Sequence, residues 1–300
     1  MDFKESLREK TSRINREISE YLPPETGFQK TILAACNYSV INGGKRLRPL
    51  LMQYAYILCR NNGSEELGPE EKTAVVPFMA AMEMIHSSSL VHDDLPCMDN
   101  DVLRRGVPST WAKFGEDMGT LAGDGLMLYA FETACKSTAE PGKAMKCLGV
   151  LARKSGLFGM VGGQTVDVEL TGKRPDKEQL EFIYKYKTGA LIEASLMIGA
   201  ILAGADEAVT KKLEEAAACV GMAFQIQDDI LDVTATESEL GKPIGSDSCK
   251  GKVTWLTYYG MEQSERDVSA YTEKALDIIR QIGSCRFLEE LLISLIGRRS

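Results

Sequence analysis

Two short stretches gather carboxylates in a chain whose pattern is otherwise apolar and helical. The first runs His86-Ser-Ser-Ser-Leu-Val-His92-Asp93-Asp94-Leu-Pro-Cys-Met-Asp99-Asn-Asp101-Val-Leu-Arg104-Arg105-Gly106. The second is Gln225-Ile-Gln227-Asp228-Asp229-Ile-Leu-Asp232. Carboxylate oxygens are hard ligands suited to magnesium, which is held by one or two carboxylates together with substrate phosphates. Arginine forks match phosphate oxygens in pairs. Acid and base side by side therefore point to a metal and a diphosphate. A lone acidic cluster is more often a solvated turn, and the second copy is what lifts the sharper reading. A calcium loop starting at Asp99 would need glycine at its sixth position and glutamate at its twelfth. Arg104 and Thr110 stand there instead.

Asp228 and Asp232 are four residues apart, with Gln225 three before Asp228, so all three share a helical face. Asp93 and Asp99 are six apart, which a regular helix does not align. The break at Leu95-Pro96 is expected to loop the chain so that Asp99 returns toward Asp93. His86 lies seven residues before Asp93, on the same face. A histidine on an apolar helix is usually a satisfied core residue, and His92 is read that way.

Basic groups complement these acids. Gly43-Gly44-Lys45-Arg46-Leu47-Arg48-Pro49 sets cations at a helix start, where free backbone N–H groups also favour anions. It lacks the pattern of a nucleotide P-loop. Lys187-Thr188-Gly189 interrupts an apolar run, and Gly241-Lys242 through Lys252 is rich in glycine and lysine. Each alone reads as an ordinary turn, a snorkelling lysine or a solvated loop.

The elements that position these residues are helices. Helical periodicity predicts segments at 3–20, 27–41, 49–60, 70–91, 116–137, 141–171, 177–202 and 206–233. Further helices are predicted near 253–261, 264–283 and 286–297, after a loop over 240–252. The reading is one all-α domain over 1–300, with a central cavity between two aspartate-rich helices. Of the 300 residues, 44% are hydrophobic, enough for a sizeable core, and the net charge of −8 argues against a nucleic-acid partner. No apolar run looks long enough to span a membrane, and stable insertion is not expected. Eight scattered cysteines without a C-x-x-C pair suit reduced thiols. With an N-terminus too charged for a signal peptide, the expectation is a cytoplasmic protein.

Taken together, the Gly-Gly-Lys-Arg-Leu-Arg-Pro stretch, His-Asp-Asp-Leu-Pro-Cys-Met-Asp with Leu-Arg-Arg-Gly, Gly-Gly-Gln with Asp167, Lys-Thr-Gly and Phe-Gln-Ile-Gln-Asp-Asp-Ile-Leu-Asp resemble the trans-polyprenyl diphosphate synthase family. The spacing within the first aspartate motif resembles bacterial farnesyl and geranylgeranyl diphosphate synthases. The resemblance implies an isoprenoid-synthase helical bundle, usually a homodimer, that condenses isopentenyl diphosphate with an allylic diphosphate. It implies three magnesium ions around the allylic diphosphate, with Asp93, Asp99 and Asp228 as ligands and Asp94, Asp229 and Asp232 in support. Arg104, Lys187 and Lys252 match allylic-diphosphate contacts, and Lys242 sits in the same loop as Lys252 and is counted with the substrate-binding residues. Lys45, Arg48, His86 and Arg105 match a metal-free isopentenyl diphosphate site. Thr188, Gln225 and Gln164 match groups whose oxygens line the carbocation. Val102 departs from the family, which usually has another acid there. Ser88, five residues before Asp93, stands where farnesyl-making bacterial enzymes often carry an aromatic, which favours a twenty-carbon product. A terpene cyclase, a non-catalytic synthase subunit and a helical scaffold are the competing readings. The metal-free cation set argues against the first, and the presence of both aspartate motifs against the second.

Overall fold

A computed structural model of the chain describes residues 2–60, 63–234 and 253–296. Lys242 and Lys252 lie outside the described residues. The chain clusters into two compact units, Met1–Gln53 with Glu66–Leu148, and Tyr54–Glu65 with Gly149–Ser300. Both are helical, as expected.

The first unit holds α1 (Phe3–Ser19), α2 (Lys30–Ile41), the start of α3 (Leu47–Arg60) and α4 (Pro69–Asp93). A ribbon follows, β1 (Leu103–Arg104) paired antiparallel with β2 (Val107–Pro108), then α5 (Thr110–Phe114), α6 (Glu116–Ala134) and the start of α7 (Pro141–Ser155). Its core is built on α4. Pro69 opens that helix where a missing N–H is harmless, and Glu71 Oε2 accepts a hydrogen bond from the Gly68 N–H at 2.7 Å. Val75, Phe78, Met79, Met82, Met84 and Ile85 are then fully buried, each contributing roughly 1.5–3 kcal/mol. Small residues on α6 let the two helices close up. A Cβ on Gly123 would fall 2.1 Å from His92 Nε2, so the imidazole rests on the α6 backbone. His92 is a packing residue, as expected.

The second unit holds the rest of α3 and α7, then α8 (Met160–Glu169), α9 (Lys177–Ile183), a π-helical turn (Tyr184–Gly189) and α10 (Ala190–Ala203). It closes with α11 (Glu207–Thr234), α12 (Trp255–Ile282) and α13 (Arg286–Ile296). Within it, Lys154 on α7 bonds both Glu193 on α10 and Glu214 on α11.

Several boundaries differ from expectation, each for a local reason. The helix expected over 141–171 breaks between Ser155 and Met160, where Gly159 adopts φ −144, ψ −128. A Cβ there would lie 2.0 Å from the Lys154 carbonyl oxygen. The helix expected over 177–202 contains the π-turn, and the two expected within 253–283 join as α12, kinked at Gly260 (φ 74). The expectation that no apolar run reaches membrane-span length also needs correcting. Pro69–Asp93 and Lys177–Ala203 are long and apolar enough, but 78% and 67% of their most apolar windows are buried by protein. They are core helices by that measure.

In the second unit α11 meets the π-turn backbone to backbone at glycine. A Cβ on Gly221 would lie 2.8 Å from Gly189 Cα. Gly221→Ala is expected to destabilise the protein by about 1–3 kcal/mol, because backbone cannot step aside as a side chain does. Urea denaturation measures it, and an unchanged midpoint would mean the helices have room to part.

Candidate active site

In the first unit the cation set is assembled around His86. The loop between α2 and α3 turns through Gly43 (φ 87) and Gly44 (φ 125), and then Arg46 (φ 47) in the left-handed region. Gly44 is favoured because its φ of 125 strains any other residue, and a Cβ there would also sit 2.9 Å from the Arg105 guanidinium. Arg105 also donates to the Gly43 carbonyl oxygen. Arg46 is buried and fully engaged. It pairs with Glu83 at 2.6 Å and donates to Asn15 Oδ1 and the Val40 carbonyl, both at 2.5 Å. Neither Arg46 nor Glu83 was singled out from sequence, since their pairing joins a loop to a helix 37 residues away.

Glu83 is the buried counter-charge of this cluster. Burial lowers the Arg48 pKa to about 10, with Glu83 opposing and Arg105 reinforcing the shift. Arg105 is lowered by burial too, and again Glu83 opposes. His86 is held neutral, well below the ordinary histidine range, first by burial and then by Arg48, Arg105, Arg46 and Arg104. Arg48 Nε is buried without a hydrogen-bond partner among the described residues. Concentrated positive charge with an unused donor suits a polyanion and needs no metal.

Beside it, the chain leaves α4 as expected from the Leu95-Pro96 break. The Asp99 N–H donates to the Asp93 carbonyl at 2.9 Å, and the Asp101 N–H to the Asp94 carbonyl at 3.1 Å. Asp99 is exposed and Asp93 half-buried. Asp94, by contrast, is buried and takes Arg104 Nε at 3.0 and 3.2 Å on its two oxygens. Burial raises the Asp94 carboxyl and Arg104 works against it. Asp94 and Arg104, expected to support a metal and to contact diphosphate respectively, are thus bound to each other. On the β1–β2 ribbon, which helical periodicity did not show, Arg104 reaches Asp94 while Arg105 reaches the Gly43 carbonyl. The ribbon's turn residues Arg105 (φ 55) and Gly106 (φ 79) both have positive φ, as a type I′ hairpin turn requires.

In the second unit the π-turn carries Lys187 and Thr188. Lys187 Nζ pairs with Asp167 on α8 at 2.5 Å, and Thr188 donates to Gln225 Oε1 on α11 at 2.9 Å. The Gly-Gly-Gln stretch explains itself here: a Cβ on Gly163 would lie 2.2 Å from the Lys187 nitrogen. Gln164, the next residue, is half-buried on α8, and Lys45 is exposed at its loop. Asp228 is half-buried, while Asp229 and Asp232 are buried. Asp229 Oδ2 accepts from Tyr184 Oη at 2.5 Å and from the Trp255 N–H at 2.9 Å. Among the described residues, no three His, Cys, Asp or Glu side chains gather closely enough to hold a metal by themselves. The donor set still fits magnesium, a hard cation that takes only one or two carboxylates and completes its shell with water and phosphate oxygen.

A family model described as "Polyprenyl synthetase" matches residues 29–283. The chain belongs to the polyprenyl synthetase family. It is an all-α transferase, a short-chain prenyltransferase. It is 40% identical over 283 residues to the heterodimeric geranylgeranyl pyrophosphate synthase large subunit 1 of Arabidopsis thaliana, covering 92% of this chain and 73% of that one. It is 38% identical over 278 residues to farnesyl diphosphate synthase of Geobacillus stearothermophilus, covering 92% and 90%. A geranyltransferase from Helicobacter pylori, solved with magnesium and isoprenyl diphosphate, matches with a TM-score of 0.82 and 29% identity over 99% of this chain and 97% of that one.

Two predictions follow from the cation cluster. Glu83→Gln leaves Arg46 buried without its counter-charge and is expected to cost about 3 kcal/mol in denaturant melts, the cost of breaking a buried pair from one side. A loss within 0.5 kcal/mol, roughly what a surface substitution costs, would contradict it. Because folding keeps His86 neutral, the unfolded chain takes up the proton first. The stability from neutral His86 is therefore full above about pH 6.5 and is lost as pH falls from there toward the folded value. His86→Gln should flatten this acid-side slope in melts run between pH 7 and 5, and an unchanged slope would refute it.

Proposed function

We propose that the enzyme elongates allylic diphosphates with isopentenyl diphosphate as far as geranylgeranyl diphosphate, using three magnesium ions. The observation that carries the chemistry is that one chain holds two unlike binding sets. One is a metal-free cluster of Arg48, His86 and Arg105, with Lys45 proposed to join it from the loop before α3, suited to isopentenyl diphosphate. The other is the pair of aspartate motifs, suited to a magnesium-bound allylic diphosphate. Asp93 and Asp99 of one motif and Asp228 of the other are the proposed magnesium ligands, and the metal when bound would draw charge from the departing diphosphate. Lys187 places an ammonium for the same developing charge. The allylic C–O bond breaks, the isopentenyl double bond attacks the resulting cation, and a proton leaves to the released pyrophosphate. Thr188, Gln225 and Gln164 offer oxygen dipoles toward the cation, although Gln225 Oε1 already accepts from Thr188. Buried apolar side chains keep out water that would quench it.

Product length rests on the end of α4. Ser88, expected to mark the first layer of the tail pocket, is fully buried with its hydroxyl on the Ile85 carbonyl at 2.9 Å. His86, Ser89, Leu90 and Asp93 form the half-buried face instead, at i, i+3, i+4 and i+7. Ser89 thus replaces Ser88 as the proposed layer residue. It too is small, which supports a product longer than farnesyl. The Arabidopsis relative is named a geranylgeranyl synthase, which agrees. A homodimer in the cytoplasm is the proposed setting. The soluble composition and scattered thiols support the compartment, while the word heterodimeric in that relative's name keeps a mixed dimer as the alternative.

Mass-spectrometric sizing of dephosphorylated products, with magnesium, isopentenyl diphosphate and each allylic primer, tests this reading. Geranylgeraniol is the expected end point, and Ser89→Phe is expected to shift it to farnesol. Farnesol from the unaltered protein would overturn the chain length. Failure to elongate any primer would overturn the activity and favour a cyclase or a non-catalytic subunit. Asp93→Ala should reduce turnover by at least a hundredfold while leaving the fold intact by circular dichroism.

A further inference from the structure

The π-turn and α11 are fastened together in register. Tyr184 meets Asp229, Thr188 meets Gln225 and Gly189 meets Gly221, so the contacts on α11 recur every four residues. Positions 184, 188 and 189 would not all face one neighbour in an α-helix, because a fifth step rotates well past one turn. A π-turn closes on i→i+5 and brings position 189 back toward the face of position 184. One end of this seam is a knot at Asp229. Its Oδ2 takes the Tyr184 hydroxyl at 2.5 Å and the Trp255 N–H at 2.9 Å, and the phenol oxygen itself lies 3.2 Å from that N–H. Trp255 is anchored in turn, with indole Nε1 donating to Asp267 at 2.8 Å and its ring 4.6 Å from that of Tyr259. Three segments meet there: the turn bearing Lys187 and Thr188, the helix bearing Gln225, Asp228 and Asp232, and the first residue of α12, three after Lys252.

We propose that Tyr184 is a positioning residue of the ionisation step: through Asp229 it sets the register between the lysine-bearing π-turn and the aspartate-bearing α11. Asp229 then serves as the acceptor that joins segments, and Asp228 presents its carboxylate beside it. This rests on the proposed roles of Lys187 and Asp228. Tyr184→Phe keeps the ring beside Trp255 and removes only the hydroxyl, which donates to Asp229 and accepts from the Trp255 N–H.

Steady-state kinetics of Tyr184→Phe, Asp229→Ala and the double variant, alongside Asp228→Ala, test the idea. Tyr184→Phe is expected to lower kcat about tenfold, the worth of one hydrogen bond to a charged group. It should raise the KM for the allylic diphosphate and leave that for isopentenyl diphosphate unchanged, since the cations proposed for the latter lie in the other unit. The double variant should lose no more than the larger single loss, because the two residues act as one unit. A wild-type kcat and allylic KM in Tyr184→Phe, equal rises in both KM values, or losses that multiply in the double variant would each overturn the proposal. Wild-type activity in Asp228→Ala would instead overturn the site assignment on which it rests.

Discussion

Holding like charges together is the constraint on which the candidate site depends. Arg46, Arg48 and Arg105 crowd His86, and Glu83 is their buried counter-charge. Such a cluster is unfavourable in proportion to its usefulness, since each cation raises the local potential that a diphosphate would answer. Arg46 spends its donors on Glu83, Asn15 and Val40, and so works as the strut that lets Arg48 and Arg105 stay available. The aspartate motifs solve the mirror problem. Asp94 is neutralised by Arg104 and Asp229 is hydrogen-bonded by Tyr184 and Trp255, so adjacent carboxylates do not compete for the same role. Within each Asp-Asp pair, the first residue is half-buried and the second is buried and occupied.

Close backbone approach is the second requirement, and it accounts for the glycines at the site. Gly44 admits the Arg105 guanidinium, Gly163 admits the Lys187 backbone, and Gly221 admits Gly189. In each case a side chain would push back a segment that carries a proposed site residue. The π-turn adds what glycine alone does not, since it turns Tyr184, Thr188 and Gly189 toward one helix.

What was legible in the sequence follows from how local each feature is. The helices showed through their periodicity, and the return of Asp99 to Asp93 followed from the Leu95-Pro96 break and a spacing that no helix aligns. The cation and aspartate sets were visible because residue type alone limits their chemistry. The π-turn was not, because Tyr184–Gly189 reads as a polar interruption of a helical run and differs from an α-helix only in how its hydrogen bonds close. The break at Ser155 was missed because a glycine inside a helical pattern reads as tolerated until a neighbouring carbonyl crowds it. The partnerships of Arg46 with Glu83 and of Arg104 with Asp94 decide which charges remain for substrate. They were hidden because sequence shows that charges exist but not which ones are spent on each other.

The central claim is that two diphosphates are recognised by different chemistry, one by cations alone and one through magnesium. Isothermal titration of the full-length protein tests this directly, with isopentenyl diphosphate and an unreactive thio-analogue of an allylic diphosphate, each with magnesium and with EDTA. Isopentenyl diphosphate is expected to bind with the same affinity in both conditions, and the allylic analogue only with magnesium. Loss of isopentenyl diphosphate binding in EDTA, or undiminished binding of the analogue there, would contradict it.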